Sequence, residues 1–336
     1  LLASTITLTL AVVTKVGSGI NYQLASDYKA VEVPAFIDTI INLFPSNLAN
    51  SWVNGEVVPI VIFAVIVAIA YNKIARNQQK AVLPFKHFID AGNRVMGEVV
   101  NFVISFTPYA VLALIARAVS KSALSDLIPL LSVLGLAYLL SIIQIFGVTS
   151  VLLKVVGKLN PLNFFKGIWP AGVVAFTSQS SIGTIPVTVR QLTKKLGVNE
   201  DVASFVASLG ANLGMPGCAG IWPVLLAVFA INVLGIDYSI GQYIFLIVLA
   251  VVVSIGTVGV PGTATITATA LFASAGLPIE IIVLLAPISS IVDMARTATN
   301  VVGAASAAML VARSENELDL AVYNNETIGQ PDLEII

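Results

Sequence analysis

The chain has 336 residues, 57% of them apolar and 10% charged, with a mean hydropathy of +0.95 and a net charge of −1. An ordinary soluble domain carries about 25% charged residues, so these proportions exclude a water-soluble globule and point to a polytopic membrane protein. The charge balance gives no reason to expect a nucleic-acid partner. The lone Cys218 excludes an internal disulfide, and the lone His87 excludes a multi-histidine metal site.

Residues 1–14 form an apolar fragment shorter than a full span. No basic n-region precedes it, and a start inside an apolar run suggests that an N-terminal portion lies outside this sequence. Residues 15–54 are mixed, with short apolar pieces such as 37–44, and 57–71 is an apolar span. Residues 72–94 carry Lys73, Arg76, Lys80, Lys86 and Arg94 and read as a solvated cytoplasmic loop. The next span, 95–115, contains Pro108. A long apolar segment, 127–156, exits near Lys154, Lys158 and Lys166. Residues 167–189 carry no charge but are broken by glycine, proline and a serine cluster, and Arg190, Lys194 and Lys195 follow. Residues 202–236 and 238–279 are uncharged. The last apolar segment, 281–311, holds Asp293 and Arg296. From Arg313 the sequence turns acidic and polar and reads as a mobile cytoplasmic tail, 313–336.

The basic clusters place both flanks of 167–189 in the cytoplasm. Two crossings of about 11 residues each would fall far short of the ~20 a span needs. A re-entrant hairpin with its tip at 178–183 resolves the conflict. The segment 238–279 poses the mirror problem, with Gly256, Gly259, Pro261 and Gly262 at its middle. Either a helix followed by a second hairpin or one helix broken there fits. Irregular backbone at membrane depth survives only against protein or a water-filled cavity, and two such interruptions point to a transporter site.

Asp293, Arg296, Thr297 and Asn300 stand at i, i+3, i+4 and i+7. At about 100° per residue they share an arc of roughly 100° on an otherwise apolar helix. A charge at the bilayer centre costs ~2.5–3.5 kcal/mol or more, which opposite charges in reach of one another reduce. The plain alternative is an ion pair that only packs helices. The functional reading is a site for a zwitterionic solute, with an acceptor for an ammonium and a donor for a carboxylate. The serines at 178, 180 and 181 and the glycines at 259 and 262 could offer hydroxyls and backbone amides at the two tips, or simply cap and turn the chain. Gly210, Gly214, Pro216 and Gly217 should interrupt the helix of 202–236, leaving carbonyls free for a cation or making a mere kink.

Four motifs in order carry a family resemblance: Ala175-Phe176-Thr177-Ser178-Gln179-Ser180-Ser181-Ile182-Gly183; the interruption at 210–218; Gly259-Val260-Pro261-Gly262; and Asp293-Met294-Ala295-Arg296-Thr297-Ala298-Thr299-Asn300-Val301-Val302-Gly303. Phe44-Pro45-Ser46-Asn47 and Thr107-Pro108-Tyr109 also fit. The chain resembles the dicarboxylate/amino acid:cation symporters, beginning inside that family's third transmembrane helix, with two N-terminal helices absent. The resemblance implies an all-α polytopic fold in the cell membrane, a homotrimer and an elevator-type movement. It implies scaffold-side helices over 1–150 and a transport core over 151–312. The core comprises hairpin 1 (about 163–190), the interrupted helix (about 199–235), hairpin 2 (about 252–278) and the last helix (about 280–312).

By the same resemblance, Asp293 binds the substrate ammonium and Arg296 its distal group. Thr297 and Asn300 serve the backbone carboxylate. Gln179, Ser180 and Ser181 contribute from the first tip, Gly259 and Val260 from the second, and Met215 and Cys218 line the site. Sodium-driven glutamate members carry an Asn and two carboxylates where this chain has Gly214, Pro216 and Ala304. Two sodium sites are therefore expected to be weak or lost. A carbonyl-built cation site could remain, from Gly210, Asn212, Met215, Ser254, Ile255, Thr257 and Asn300. The run from Gly214 to Gly220 is similar to the cystine-uptake branch. The expected activity is uptake of L-cystine coupled to Na+ and/or H+ by alternating access, with no cofactor. Glutamate, aspartate or a C4-dicarboxylate is the alternative substrate. A channel or an intramembrane hydrolase is the alternative class.

Overall fold

The computed structural model describes residues 1–18, 46–53, 57–104, 124–257, 259 and 262–324. Among them the chain is helical throughout, apart from one isolated antiparallel bridge between Val198 and Leu318. The family motifs at 44–45 and 107–109, residues 105–115 of a predicted span, and Val260 and Pro261 lie outside the described residues.

Helix α1 is Leu2–Val13, α2 is Leu48–Val53 and α3 is Val57–Ile104. The basic stretch expected as a loop is part of α3. Residues 73–83 contain neither glycine nor proline and are rich in Lys, Gln, Arg and Ala, which favour helix. Its five basic residues are exposed, as a solvated segment requires. The helix bends at Gln78, whose φ/ψ of −139°/52° leave the helical region. Helix α4 (Leu124–Ile142) passes through a π-helical turn at Ile143–Val148 into α5 (Thr149–Val155).

The first interruption is a helical hairpin. Asn160 caps α6 (Pro161–Ser178) by accepting from the Leu162 N–H at 3.1 Å. Gln179 ends α6 in the left-handed region at φ 56°. Ser180 then caps α7 (Ser181–Lys194), accepting from the Gly183 N–H at 2.9 Å. The two arms pack on each other and on the last long helix.

Helix α8 (Glu200–Gly210) ends before a bend, and Pro216–Ile221 form a π-helical turn that leads into α9 (Trp222–Leu234). Every residue from Trp222 to Ile231 is buried, so α9 is apolar on all faces because it runs through the protein core. The second interruption has one helix on each side, α10 (Ile240–Val253) and α11 (Thr263–Ala275). The two helices pack on each other, with Gly262 at φ 83° opening α11. Helix α12 (Glu280–Leu284) and helix α13 (Ala286–Ser314) carry the final apolar segment. Among the described residues two stretches, Leu130–Val155 and Pro216–Leu234, are long and apolar enough to cross a membrane.

The polar C-terminal residues do not begin as a free tail. Arg313 is still in α13, and the chain then straps across the feet of the first hairpin. The Asn199 N–H donates to the Glu317 carbonyl (3.0 Å) and the Asp319 N–H to the Gly197 carbonyl (2.8 Å). After the short helix α14 (Leu320–Tyr323), the buried Tyr323 hydroxyl donates to the Asn160 carbonyl at 2.7 Å. Burial pushes this phenol up to about 12, so it remains a donor at physiological pH. Tyr323→Phe removes one hydrogen bond and should cost about 1 kcal/mol. Tyr323→Ala empties a core position and should cost ~3–5 kcal/mol, as buried aromatics do. Thermal unfolding of the purified variants checks both; an alanine variant as stable as wild type would mean that the strap is not docked.

Candidate functional site

All four residues of the predicted stripe are buried on α13: Asp293, Arg296, Thr297 and Asn300. Arg296 Nη2 lies 3.1 Å from Asp293 Oδ1 and donates to the Ser289 carbonyl at 3.0 Å. Among the described residues its Nε and Nη1 have no hydrogen-bond acceptor. The guanidinium stacks on the Trp222 indole, with Cζ 4.5 Å from the ring centroid. Asp293 Oδ2 accepts from the Gly262 N–H at 3.1 Å, so the carboxylate holds the first residue of the second hairpin's return arm. Cys218 Sγ stands 3.9 Å from Asp293 Oδ1.

Asn300 is committed to the interrupted helix. Its Oδ1 accepts from the Gly217 N–H at 2.7 Å and the Cys218 N–H at 3.3 Å, and its Nδ2 donates to Cys218 Sγ at 3.0 Å. The first N–H groups of any helix lack intrahelical acceptors, and here a side chain from another helix supplies one. Gly217 allows this closeness, because a Cβ there would run into the Arg296 carbonyl.

The two hairpin tips meet. The Ile182 N–H donates to the Gly259 carbonyl at 3.1 Å, and Ser180 Oγ donates to the same oxygen at 3.4 Å. A Cβ at Gly259 would run into the Ala211 carbonyl and stand 2.8 Å from Ser181 Cβ. Gln179 Oε1 accepts from Ser290 Oγ at 3.4 Å, which joins the first tip to the start of α13. Met215, Gln179, Ser180 and Ser181 are all buried.

The residues expected for a cation are less gathered. The Asn212 amide turns back to the Ser208 carbonyl (3.0 Å), and Ile255 is 42% exposed. Ser254 Oγ donates to the Val251 carbonyl, while its own carbonyl accepts from the Gly214 N–H at 3.1 Å. The Thr257 hydroxyl donates to the Val253 carbonyl at 3.2 Å. Beside them opens a cavity of about 530 Å³ whose wall includes Gly210, Gly214, Pro216, Ser254, Asn300 and Ala304, with no acidic side chain among its lining residues. Among the described residues no three His, Cys, Asp or Glu side chains cluster as a metal site.

Sequence reasoning missed Trp222, Ser289 and Tyr138, whose hydroxyl donates to the Ile291 carbonyl at 2.9 Å. Trp222 follows the interruption motif directly, but no local pattern pairs it with Arg296.

A family model described as the sodium:dicarboxylate symporter family matches residues 1–314. The chain belongs to this family. Its members are transporters and not enzymes, so the hydrolase alternative falls. In keeping with that, the exposed His87 sits on α3 while Ser180 and Ser181 are buried at the hairpin tip. The symporter-family chain is 32% identical over 303 residues to the L-cystine uptake protein TcyP of Bacillus thuringiensis (strain Al Hakam), covering 89% of this chain and 65% of that protein. It is 34% identical over 294 residues to an uncharacterized symporter of Haemophilus influenzae, covering 87% of this chain and 66% of the relative. The TcyP of Bacillus licheniformis is 31% identical over 309 residues, at 91% and 66% coverage. The chain thus spans about 65% of the length of the curated relatives it matches.

Proposed function

We propose that this chain is the substrate-handling part of a multi-pass membrane symporter that takes up an amino acid, L-cystine first among candidates, coupled to Na+ and/or H+. One observation carries the reading. A buried carboxylate and a buried guanidinium, two of whose nitrogens have no acceptor among the described residues, lie side by side where Gly262 and Cys218 reach the carboxylate, and the first tip is tied to Ser290 on the same helix. Asp293 accepts the ammonium in this reading, and Arg296 takes the distal carboxylate. The tips supply backbone groups, and Thr297 lies next to the pair. We assign Asn300 the task of holding the interrupted helix rather than touching substrate, because its amide is already occupied on both sides. The names of the Bacillus relatives favour cystine.

The family's description favours a second reading, a C4-dicarboxylate. Such a substrate has no ammonium for Asp293 and would set a carboxylate against a buried carboxylate, an arrangement of like charges that costs energy. Re-entrant hairpins, a homotrimer and elevator-type alternating access belong to the same proposal, on the strength of family membership and of the two helical interruptions. The cavity wall without acidic groups supports low sodium stoichiometry, since hard cations need charged or carbonyl oxygens.

Proteoliposomes of the full-length protein test this with labelled cystine competed by unlabelled cystine, aspartate, glutamate, serine and succinate, with and without sodium and with an imposed pH gradient. Cystine should compete best, with uptake that is saturable and concentrative. Succinate competing as well as cystine would transfer the assignment to dicarboxylates. Non-saturable flux would mean a channel, and three sodium ions per substrate would contradict the reading of the cavity.

A further inference from the structure

We infer that Trp222 is a positioning residue for Arg296, and that it sets the affinity for substrates bearing a distal carboxylate. This rests on the reading of Arg296 as the distal-group donor. The guanidinium offers five N–H donors. Among the described residues only Nη2 is engaged, by Asp293 and the Ser289 carbonyl, both contributed by its own helix. Both contacts hold one edge of the planar group, and both come from the helix that carries it. A further contact comes from another helix: Cζ lies over the Trp222 ring, 4.5 Å from its centroid, with both side chains fully buried.

Trp222 is placed by its helix, since its indole Nε1 has no hydrogen-bond partner among the described residues. It is the first residue of α9, directly after the π-helical turn whose leading N–H groups are pinned to Asn300. The segment that holds Cys218 beside Asp293 therefore also sets the aromatic plate under Arg296. A cation–π contact of this kind holds the group without using any N–H, and Nε and Nη1 have no acceptor among the described residues. Asparagine or lysine at 222 could hydrogen-bond but could not present a face.

The test compares Trp222→Phe, which keeps an aromatic face, with Trp222→Leu, which keeps apolar bulk without one. Binding of labelled cystine and of labelled serine, which has no distal carboxylate, is measured on the purified full-length protein. Trp222→Leu should weaken cystine binding about thirtyfold, the size of a desolvated cation–π contact. Trp222→Phe should restore it to within about threefold, and serine binding should change less than about twofold in either. Equal losses for both substrates would mean a general packing role and overturn the inference, as would wild-type cystine affinity in Trp222→Leu. An experimental structure of Trp222→Leu gives a readout independent of substrate. Arg296 should be displaced from the Ser289 carbonyl, and an unmoved guanidinium overturns the inference. If the wild type binds no amino acid, the proposed function fails, while that structure still decides the stack.

Discussion

Asp293→Asn should remove amino-acid binding while leaving the hairpin contact in place. Asparagine keeps the shape and an acceptor for the Gly262 N–H, now 3.1 Å from Oδ2. What it loses is the charge. The ammonium forfeits a charge-assisted bond worth about 1.5–3 kcal/mol, and affinity falls by up to about a hundredfold. Arg296, 3.1 Å away and fully buried, is left without its counter-ion. Breaking a buried pair on one side costs ~3–5 kcal/mol, so the variant should also unfold at lower temperature. The double variant Asp293→Asn/Arg296→Gln separates the effects. With no charge left unpaired, it should regain thermal stability without regaining binding. Calorimetric binding and thermal unfolding, run together, decide the matter; a single variant with unchanged affinity would sink the ammonium assignment.

Gly217→Ala is expected to be nearly as damaging, although position 217 carries no side chain to touch a substrate. Its N–H donates at 2.7 Å to Asn300, and an added Cβ would run into the Arg296 carbonyl. That obstacle is backbone, so it cannot rotate aside as a side chain could. The interrupted helix must move away from α13, stretching the Asn300 bonds and drawing Cys218 and Trp222 from their places. Overpacking alone costs about 1–3 kcal/mol, and the disturbed hydrogen bond adds about 1 kcal/mol. Substrate affinity should fall more than tenfold, with a lower unfolding temperature. Asn300→Ala should show a milder loss of both, because it deletes the tie without forcing the helices apart. If Gly217→Ala behaves as wild type, the close contact of the two helices is wrong.

Much of this arrangement could be read from the sequence because charges in an apolar chain are sparse and informative. The basic groups on either side of 167–189 demanded a segment that returns, and the helical hairpin of α6 and α7 turns at Gln179 and Ser180, inside the predicted tip. The glycines and prolines at 210–217 and 256–262 marked breaks that the helices respect. The same reasoning failed at 72–94. There, a run of charges suggests a loop, although lysine, arginine and glutamine also favour helix and a solvated helix looks equally polar. It failed again after Arg313, where a polar composition concealed a docked strap. The strap is held by backbone bonds from residues 197 and 199 and by one tyrosine, none of which leaves a local pattern.

The stripe on α13 divides along the same line. Helical spacing alone put Asp293, Arg296, Thr297 and Asn300 on one face, because four residues within about two turns have their directions set by the helix itself. The apolar surroundings alone said that such a face must be sheltered by protein. Only the tertiary structure decided what each group meets: Gly262 for Asp293, the Trp222 ring for Arg296, and the Gly217 and Cys218 amides for Asn300. These partners come from distant parts of the chain. Their approach depends on how closely helices pack, on a missing Cβ and on a turn that unwinds, none of which the period of a single helix encodes.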